Sequence, residues 1–477
     1  MTPRDTRQRA ALLILGGMSA VFGLGWLVYL LRPQVRSPYW FATIIPLPQV
    51  PAFTVTKAAV VVSWLAALVV WLAVRWQARA TPDPLLAGHQ RRTGLAMVTA
   101  LLVMPFLILP AAICAAAPLA LLSCLPSSAL GLWAIHRMQR YGRMPVRILL
   151  AGFGWGGFVA AGFAGSMNSW WMYSAPGFLI DWNDINGTEQ AAMTLSALVA
   201  GVFEELGKAA GIALGYFVFR RYFNGLVSGI VLGAAVGLGF NFSESILYMS
   251  HGGATAAVYQ YYQRQSLGLM AAHVAFTALA GAGFGVARQL RARRDKALVI
   301  GCGVGAAAAF HFATDSALPH ITRFTDSWAG DNQWLDTLVA MPLTIIITSG
   351  PAVLLYVLLL RKGSRTMAAA LAQELPAEAR TPFGAVRPNE VALLLSPRRR
   401  FIFRIKAWRR AGFGAYRYFT RLHNAQLDLG LQRWHRSRGE VAVHSPDETE
   451  LRQRVLRIRA RKPQLRQAPS VPMRVPV

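Results

Sequence analysis

Charged and imidazole side chains recur inside the most apolar stretches of this sequence. Phe203-Glu204-Glu205-Leu206-Gly207-Lys208 lies in the apolar run 191–219 and Phe240-Asn241-Phe242-Ser243-Glu244 in 225–248. His273, followed by Thr277, lies in 267–288, and His311-Phe312-Ala313-Thr314-Asp315 in 298–318. An ionisable group at the centre of a membrane helix costs about 2.5–3.5 kcal/mol on insertion scales, so each is a functional candidate by default. On a helix, Glu204 and Lys208 share a face at i,i+4, whereas Glu205 points about 100° away and meets Lys208 only at i,i+3. One glutamate can thus be paired while the other projects into a cavity. His311 and Asp315 also stand at i,i+4, which lets Asp315 fix the imidazole tautomer or join it in holding a ligand. Carboxylates and imidazoles so placed serve general acid–base catalysis, an open metal site, or an ion or proton pathway.

The elements that must position these groups are membrane spans. Of 477 residues, 54% are hydrophobic and 15% charged, too apolar for one soluble core. A hydrocarbon layer of about 30 Å needs roughly 20 apolar residues per helix. Ten runs meet that length: 10–31, 56–74, 94–112, 115–136, 147–166, 191–219, 225–248, 267–288, 298–318 and 338–360. The expected fold class is therefore all-α, a polytopic transmembrane helix bundle. The first run is too long for a signal-peptide core and lacks a small-residue cleavage site, so it reads as a retained helix. Pro110 to Pro118 is either a tight reversal between two spans or a kinked, re-entrant piece. Cys114, Cys124 and Cys302 all fall in apolar runs and form neither a disulfide framework nor a metal knuckle.

Charge follows the same plan. Lys/Arg clusters occupy every second connection, while 168–190 has no Lys or Arg and carries Asp181, Asp184 and Glu189, so both termini are expected in the cytoplasm. Residues 361–477 hold 25 Lys/Arg against 8 Asp/Glu, 17 of the 28 net positive charges. They form a basic cytoplasmic tail, in which Phe401-Ile-Phe-Arg-Ile-Lys-Ala-Trp-Arg-Arg interleaves aromatics with cations and suits an anionic leaflet. No nucleic-acid-binding module is visible, so no nucleic acid is expected as a partner. Ser445 to Arg461 reads as a short capped helix.

By this topology Glu244, His273 and His311 lie at one level, roughly 10 Å from the outer ends of their spans, with Glu204 deeper. Gly225, Gly229, Gly233 and Gly237 recur at every fourth position, the spacing of a close helix–helix seam.

The ordered set Glu-Glu-x-x-Lys, Phe-x-x-x-Glu, His and His-x-x-x-Asp, one to a helix, resembles the PrsW family of intramembrane proteases, relatives of the CAAX-processing endopeptidases. The likeness covers roughly residues 115–320. It implies a protease core at 115–360, flanked by accessory helices at 1–114 and the tail at 361–477. It further implies catalytic Glu204, Glu205, Glu244, His273 and His311, a single-pass or lipid-anchored membrane protein as substrate, and a bacterial plasma membrane. In the reading that follows, Glu204 is the general base, Glu205 is held by Lys208, and His273 and His311 position the water or the oxyanion, with Asn241 as a further donor and Asp315 in support. Bound zinc, with Glu244, His273 and His311 as candidate ligands, is the rival version. The alternative class is a transporter or channel using the same groups. It would call for an inverted repeat with a second acidic cluster in the first five spans, and the sequence has none.

Overall fold

The computed structural model describes residues 3–31, 50–179, 184–251, 253–440 and 447–461, and among these every regular element is helical. Backbone polar groups in hydrocarbon have to be satisfied within their own segment, which a helix does. The chain runs through α1 (Pro3–Leu31), α2 (Val50–Ala80), α3 (Pro84–Ala116) and α4 (Pro118–Met138). α5 (Val146–Gly154) passes through a π turn at Trp155–Ala160 into α6 (Ala161–Leu179), followed by α7 (Ile185–Val218) and α8 (Leu226–Met249). α9 (Gly253–Tyr261) ends in a second π turn, Tyr262–Leu267, ahead of α10 (Ala272–Ala287) and α11 (Arg293–Ala329). After Gln333–Leu335 and a third π turn, Asp336–Ala340, comes α12 (Met341–Ala379). The last helices are α13 (Pro388–Leu395), α14 (Pro397–Ser437) and α15 (Glu448–Ala460).

Nine stretches of helix among the described residues are long and apolar enough to cross a membrane. The tenth expected span is α7, 34 residues long, which those nine leave out and whose middle carries Glu204, Glu205 and Lys208. The architecture is the expected all-α polytopic bundle, with several boundaries moved. α3 continues through Pro105 and Pro110 and stops only at Ala117, where Pro118 begins α4 at a position that needs no N–H donor. The 168–190 connection is shorter than expected, because α6 carries helix to Leu179 and α7 starts at Ile185, with Asp184 accepting from Gly187 N at 2.8 Å. Asp181 lies outside the described residues. The eighth span is interrupted at 268–271 rather than continuous from 267.

The chain divides into two compact units, 1–138 with 144–360, and 139–143 with 361–477. In the first, α8 and α10 form the centre, and Val227 to Ser243 and His273 to Gly285 are buried without exception. Glycine explains the contact. A Cβ at Gly229, Gly233 or Gly237 would collide with the carbonyl oxygen of Gly281, Thr277 or His273, respectively. Gly225, the fourth member of the expected stripe, caps α8 instead, with φ +112°. α4 and α5 pack on α8, and α7 and α11 close the other side of α10. Outside this centre, Phe22, Phe106, Phe163 and Trp170 lock α1, α3 and α6 together, with Phe22 and Trp170 ring centroids 4.3 Å apart. Leu24, Val62, Leu65 and Val69 stay exposed, as side chains facing lipid do.

The second unit packs α13, α14 and α15 around Ala385, Leu422, Ala425, Leu429, Leu451 and Val455. α14 bends at Ala411 and Gly412, the latter at φ +77°, which favours glycine. α15 is the expected capped helix, opened by Asp447 accepting from Glu448 N; Ser445 lies outside the described residues. The buried Arg400 guanidinium donates to the carbonyls of Arg140 and Leu394, and the Tyr141 hydroxyl donates to Leu395 O, so 139–143 is bound into this unit.

Candidate active site

Glu204, Glu205 and Lys208 lie in mid-α7, Glu244 near the end of α8, His273 on the first turn of α10 and His311 in mid-α11. Measured along its own helix, each stands at a different distance from an end, yet they converge, because the spans differ in length and α10 starts late. The expected depth mismatch of Glu204 is absent. Its Oε2 lies 3.9 Å from His273 Nδ1 and 3.6 Å from His311 Nε2.

Lys208, fully buried, ties the two glutamates together, with Nζ 3.2 Å from Glu204 Oε2 and 2.8 Å from Glu205 Oε1, and it sits 3.7 Å from the centre of the Phe240 ring. Glu205 has no solvent exposure and is held from every side: Lys208 and His311 Nδ1 (3.2 Å) on Oε1, and the Thr277 hydroxyl (3.0 Å) on Oε2. Glu204 keeps one oxygen toward both imidazoles. Its Oε1 accepts from the amide of Asn168 at 3.0 Å.

The hydrogen bonds fix the imidazoles. An ammonium only donates, so His273 Nδ1, 3.0 Å from Lys208 Nζ, accepts, and the ring proton sits on Nε2, which donates to Glu244 Oε2. Glu244 is in turn held by Arg264 at 3.0 Å, and Arg264 stacks 4.0 Å over the Tyr248 ring. His311 Nδ1 donates to Glu205, leaving Nε2 toward Glu204 and, at 3.4 Å, toward Asp315. Each imidazole therefore gives one nitrogen to a carboxylate; the other nitrogen of His311 faces Glu204, and that of His273 accepts from Lys208. This is the arrangement in which second-layer carboxylates orient metal-binding histidines.

One donor atom from each of Glu204, His273 and His311 lies within 4.8 Å of the other two, and all three residues are buried. Two imidazoles and a carboxylate make the ligand set of an open catalytic zinc site. The charge balance agrees. The four carboxylates of Glu204, Glu205, Glu244 and Asp315 stand against one ammonium and one guanidinium, so neutral imidazoles leave two negative charges for a divalent cation to match. Of the expected ligands, His273 and His311 belong to this group, whereas Glu244 faces Arg264 and the far nitrogen of His273. Asn241 is engaged elsewhere, its amide on Arg264 O at 3.3 Å.

Residues 144–347 match the model of the PrsW family intramembrane metalloprotease. The chain carries a PrsW intramembrane endopeptidase domain. The matched segment holds every site residue above, while α1 to α4 and the tail lie outside it; it starts later and ends later than the 115–320 likeness read from the motifs. No curated protein and no solved structure matches the chain. With its apolar helices, the PrsW domain makes this an integral, multi-pass membrane enzyme acting on membrane-embedded substrates.

Sequence reasoning missed two residues of this cluster. Asn168 falls beyond the expected span 147–166, in the 168–190 connection, although the helix continues to Leu179. Arg264 lies between two expected spans, on the π turn Tyr262–Leu267, and no local pattern ties it to Glu244 twenty residues earlier. The backbone beside it is strained: Ala272, just before His273, has φ +38°, where a non-glycine residue costs about 1–2 kcal/mol. Such strain persists where the surrounding structure over-determines it, as at functional sites.

Proposed function

We propose that Glu204, His273 and His311 are the reacting group of an endopeptidase that cleaves single-pass or lipid-anchored membrane proteins in a bacterial plasma membrane, with both termini cytoplasmic and 115–360 as the protease core. The observation that carries this is the convergence of one donor atom from each residue within 4.8 Å, inside a segment matching a metalloprotease family. Glu204 Oε2, open to both imidazoles, is the acceptor for a proton of the attacking water. Glu205 is the anchor that Lys208, Thr277 and His311 hold, and it keeps His311 Nδ1 protonated. Glu244 does the same for His273 Nε2, steadied by Arg264. Asn168 fixes the Glu204 carboxylate plane, and Asp315 faces His311 from the more exposed side. Were zinc bound, Glu204 would serve as a ligand with His273 and His311 in place of acting as the base, and the metal would lower the pKa of water to about 7 and polarise the scissile carbonyl. Away from the site, the aromatic and basic stretch 401–410, with Phe401 and Trp408 exposed, suits the anionic surface of the leaflet.

The test is co-expression with a library of tagged single-pass proteins, comparing the native chain with Glu204→Gln and His311→Ala. Products that persist in both variants, with the protein folded, would overturn the assignment. Metal content of the purified protein, native and His311→Ala, separates the zinc site from a glutamate acting alone: stoichiometric zinc lost in the variant supports ligation.

A further inference from the structure

A cavity lies far in sequence from the Glu204–His273–His311 cluster, where α2 turns into α3. The two helices form a hairpin whose tip is tied by the Thr81 hydroxyl, 2.8 Å from Gln77 O and 2.9 Å from Gln90 Oε1. Below the tip they approach so closely that a Cβ at Gly94 would overlap the Val74 side chain. Beside this contact is a cavity of about 390 Å³. Its wall carries four arginines: Arg9 from α1, Arg75 and Arg79 from α2, and Arg91 from α3. The remaining lining is glycine and apolar side chains, including Trp71 and Val98, and contains no carboxylate.

A guanidinium stays charged under all relevant conditions. Arg75, Arg79 and Arg91 crowd one partly apolar cavity whose lining holds no carboxylate, so an anion entering it is favoured. The arginines are also partly ordered for the task, Arg75 lying 4.6 Å over the Trp71 ring. Arg75 and Arg91 stand five and seven residues from the helix ends Ala80 and Pro84, about 8 and 10 Å along the axis. That is the depth at which a spanning hairpin meets lipid head groups. Basic pockets between membrane helices at this level take phosphate-bearing head groups. The volume falls within the roughly 300–1,000 Å³ of small-ligand sites.

We propose that this cavity binds a phosphate-bearing anion, the head group of an anionic membrane phospholipid, with the phosphate among the arginines and the first acyl segment along Trp71 and Val98. The site belongs to the helices preceding the PrsW segment and stands independently of the catalytic assignment.

The test uses the full-length protein in neutral detergent, titrated with phosphatidylglycerol, phosphatidylcholine or inorganic phosphate and read by native mass spectrometry and the unfolding midpoint. Phosphatidylglycerol is expected to bind and to raise the midpoint, and phosphatidylcholine is not. Arg75→Gln and Arg91→Gln should each weaken binding about fivefold, the roughly 1 kcal/mol that one basic group contributes at an anionic surface. Arg398→Gln with Arg399→Gln, in the tail, should leave this binding unchanged. Inorganic phosphate that binds with the same dependence on Arg75 and Arg91, and displaces the lipid, would support the anion site and make the free ion its source. Equal binding of the two lipids, or phosphatidylglycerol binding that survives both arginine variants, would overturn the proposal. Arg75 and Arg91 are exposed, so the single variants decide even where a double variant fails to fold.

Discussion

The membrane site and the tail bury carboxylates to the same degree and treat them in opposite ways. Glu378 in the tail has no exposure, like Glu205 in α7, but Arg452 grips it through Nε and Nη2 at 2.8 and 2.9 Å, and Arg433 adds a third contact at 2.9 Å. Glu374 and Glu448 complete the network with Arg433 and Arg452, and Arg436 links it to the exposed Asp447. In the membrane site four carboxylates face two cations. A network in which arginines grip the buried carboxylates fixes a shape and leaves them nothing to give. An unbalanced one, with two imidazoles in the middle, keeps capacity for a proton or a metal ion.

The largest expected effect tests the unbalanced side. Glu204→Gln should lower cleavage of a membrane-anchored substrate by about 10²–10⁴-fold, the usual worth of a positioned general base, with little change in the unfolding midpoint. Arg452→Ala should do the reverse. Leaving buried Glu378 with Arg433 alone should cost the tail about 1–3 kcal/mol, seen as faster proteolysis of residues 361–461 in the full-length protein. Arg264→Gln loosens Glu244 and through it His273, and a loss of about 10–100-fold in activity is expected, as for other residues that orient a ligand. Activity equal to the native chain would remove Arg264 from the site. Gly233→Val should destabilise the α8–α10 seam by at least about 1–3 kcal/mol and lower activity only as far as it moves His273, measurable as a fall in unfolding midpoint.

The smallest effect is in pH. Burial, with Arg404, Arg400 and Arg459 close by, pushes His423 down to about 3. An unfolded histidine takes its proton near pH 6.5, so the unfolded tail binds more protons below that value. His423 therefore lowers tail stability as pH falls from about 6.5 toward 3, by about 1.4 kcal/mol at pH 5.5. Hydrogen exchange of α14 at pH 7.5 and 5.5 should show the difference, and His423→Gln should abolish most of it.

Much of the site was legible in the sequence because membrane insertion penalises charge. Glu204, Lys208, His273 and His311 stand out against an apolar background, and helical spacing already paired Glu204 with Lys208 and His311 with Asp315. The glycine stripe likewise announced the α8–α10 seam. What stayed hidden depended on partners distant in the chain. Asn168 and Arg264 sit where apolar character falls off, and the contacts of Glu244 with Arg264 and with Nε2 of His273 come from segments 20 and 29 residues away. Boundaries were missed for a related reason. Hydropathy marks where hydrocarbon would be tolerated, and helices such as α6 and α7 run past that limit as long as their hydrogen bonds are satisfied.

By itself the sequence determined the fold class and the all-helical, apolar character of the chain, since each follows from local composition and from the demand that a buried backbone bond to itself. The choice among equally buried acids was made only by the tertiary structure. Which glutamate is anchored and which faces the imidazoles depends on four helices meeting at one point. That meeting is set by close glycine contacts, by π turns and by the late start of α10, none of which a residue carries in its own neighbourhood.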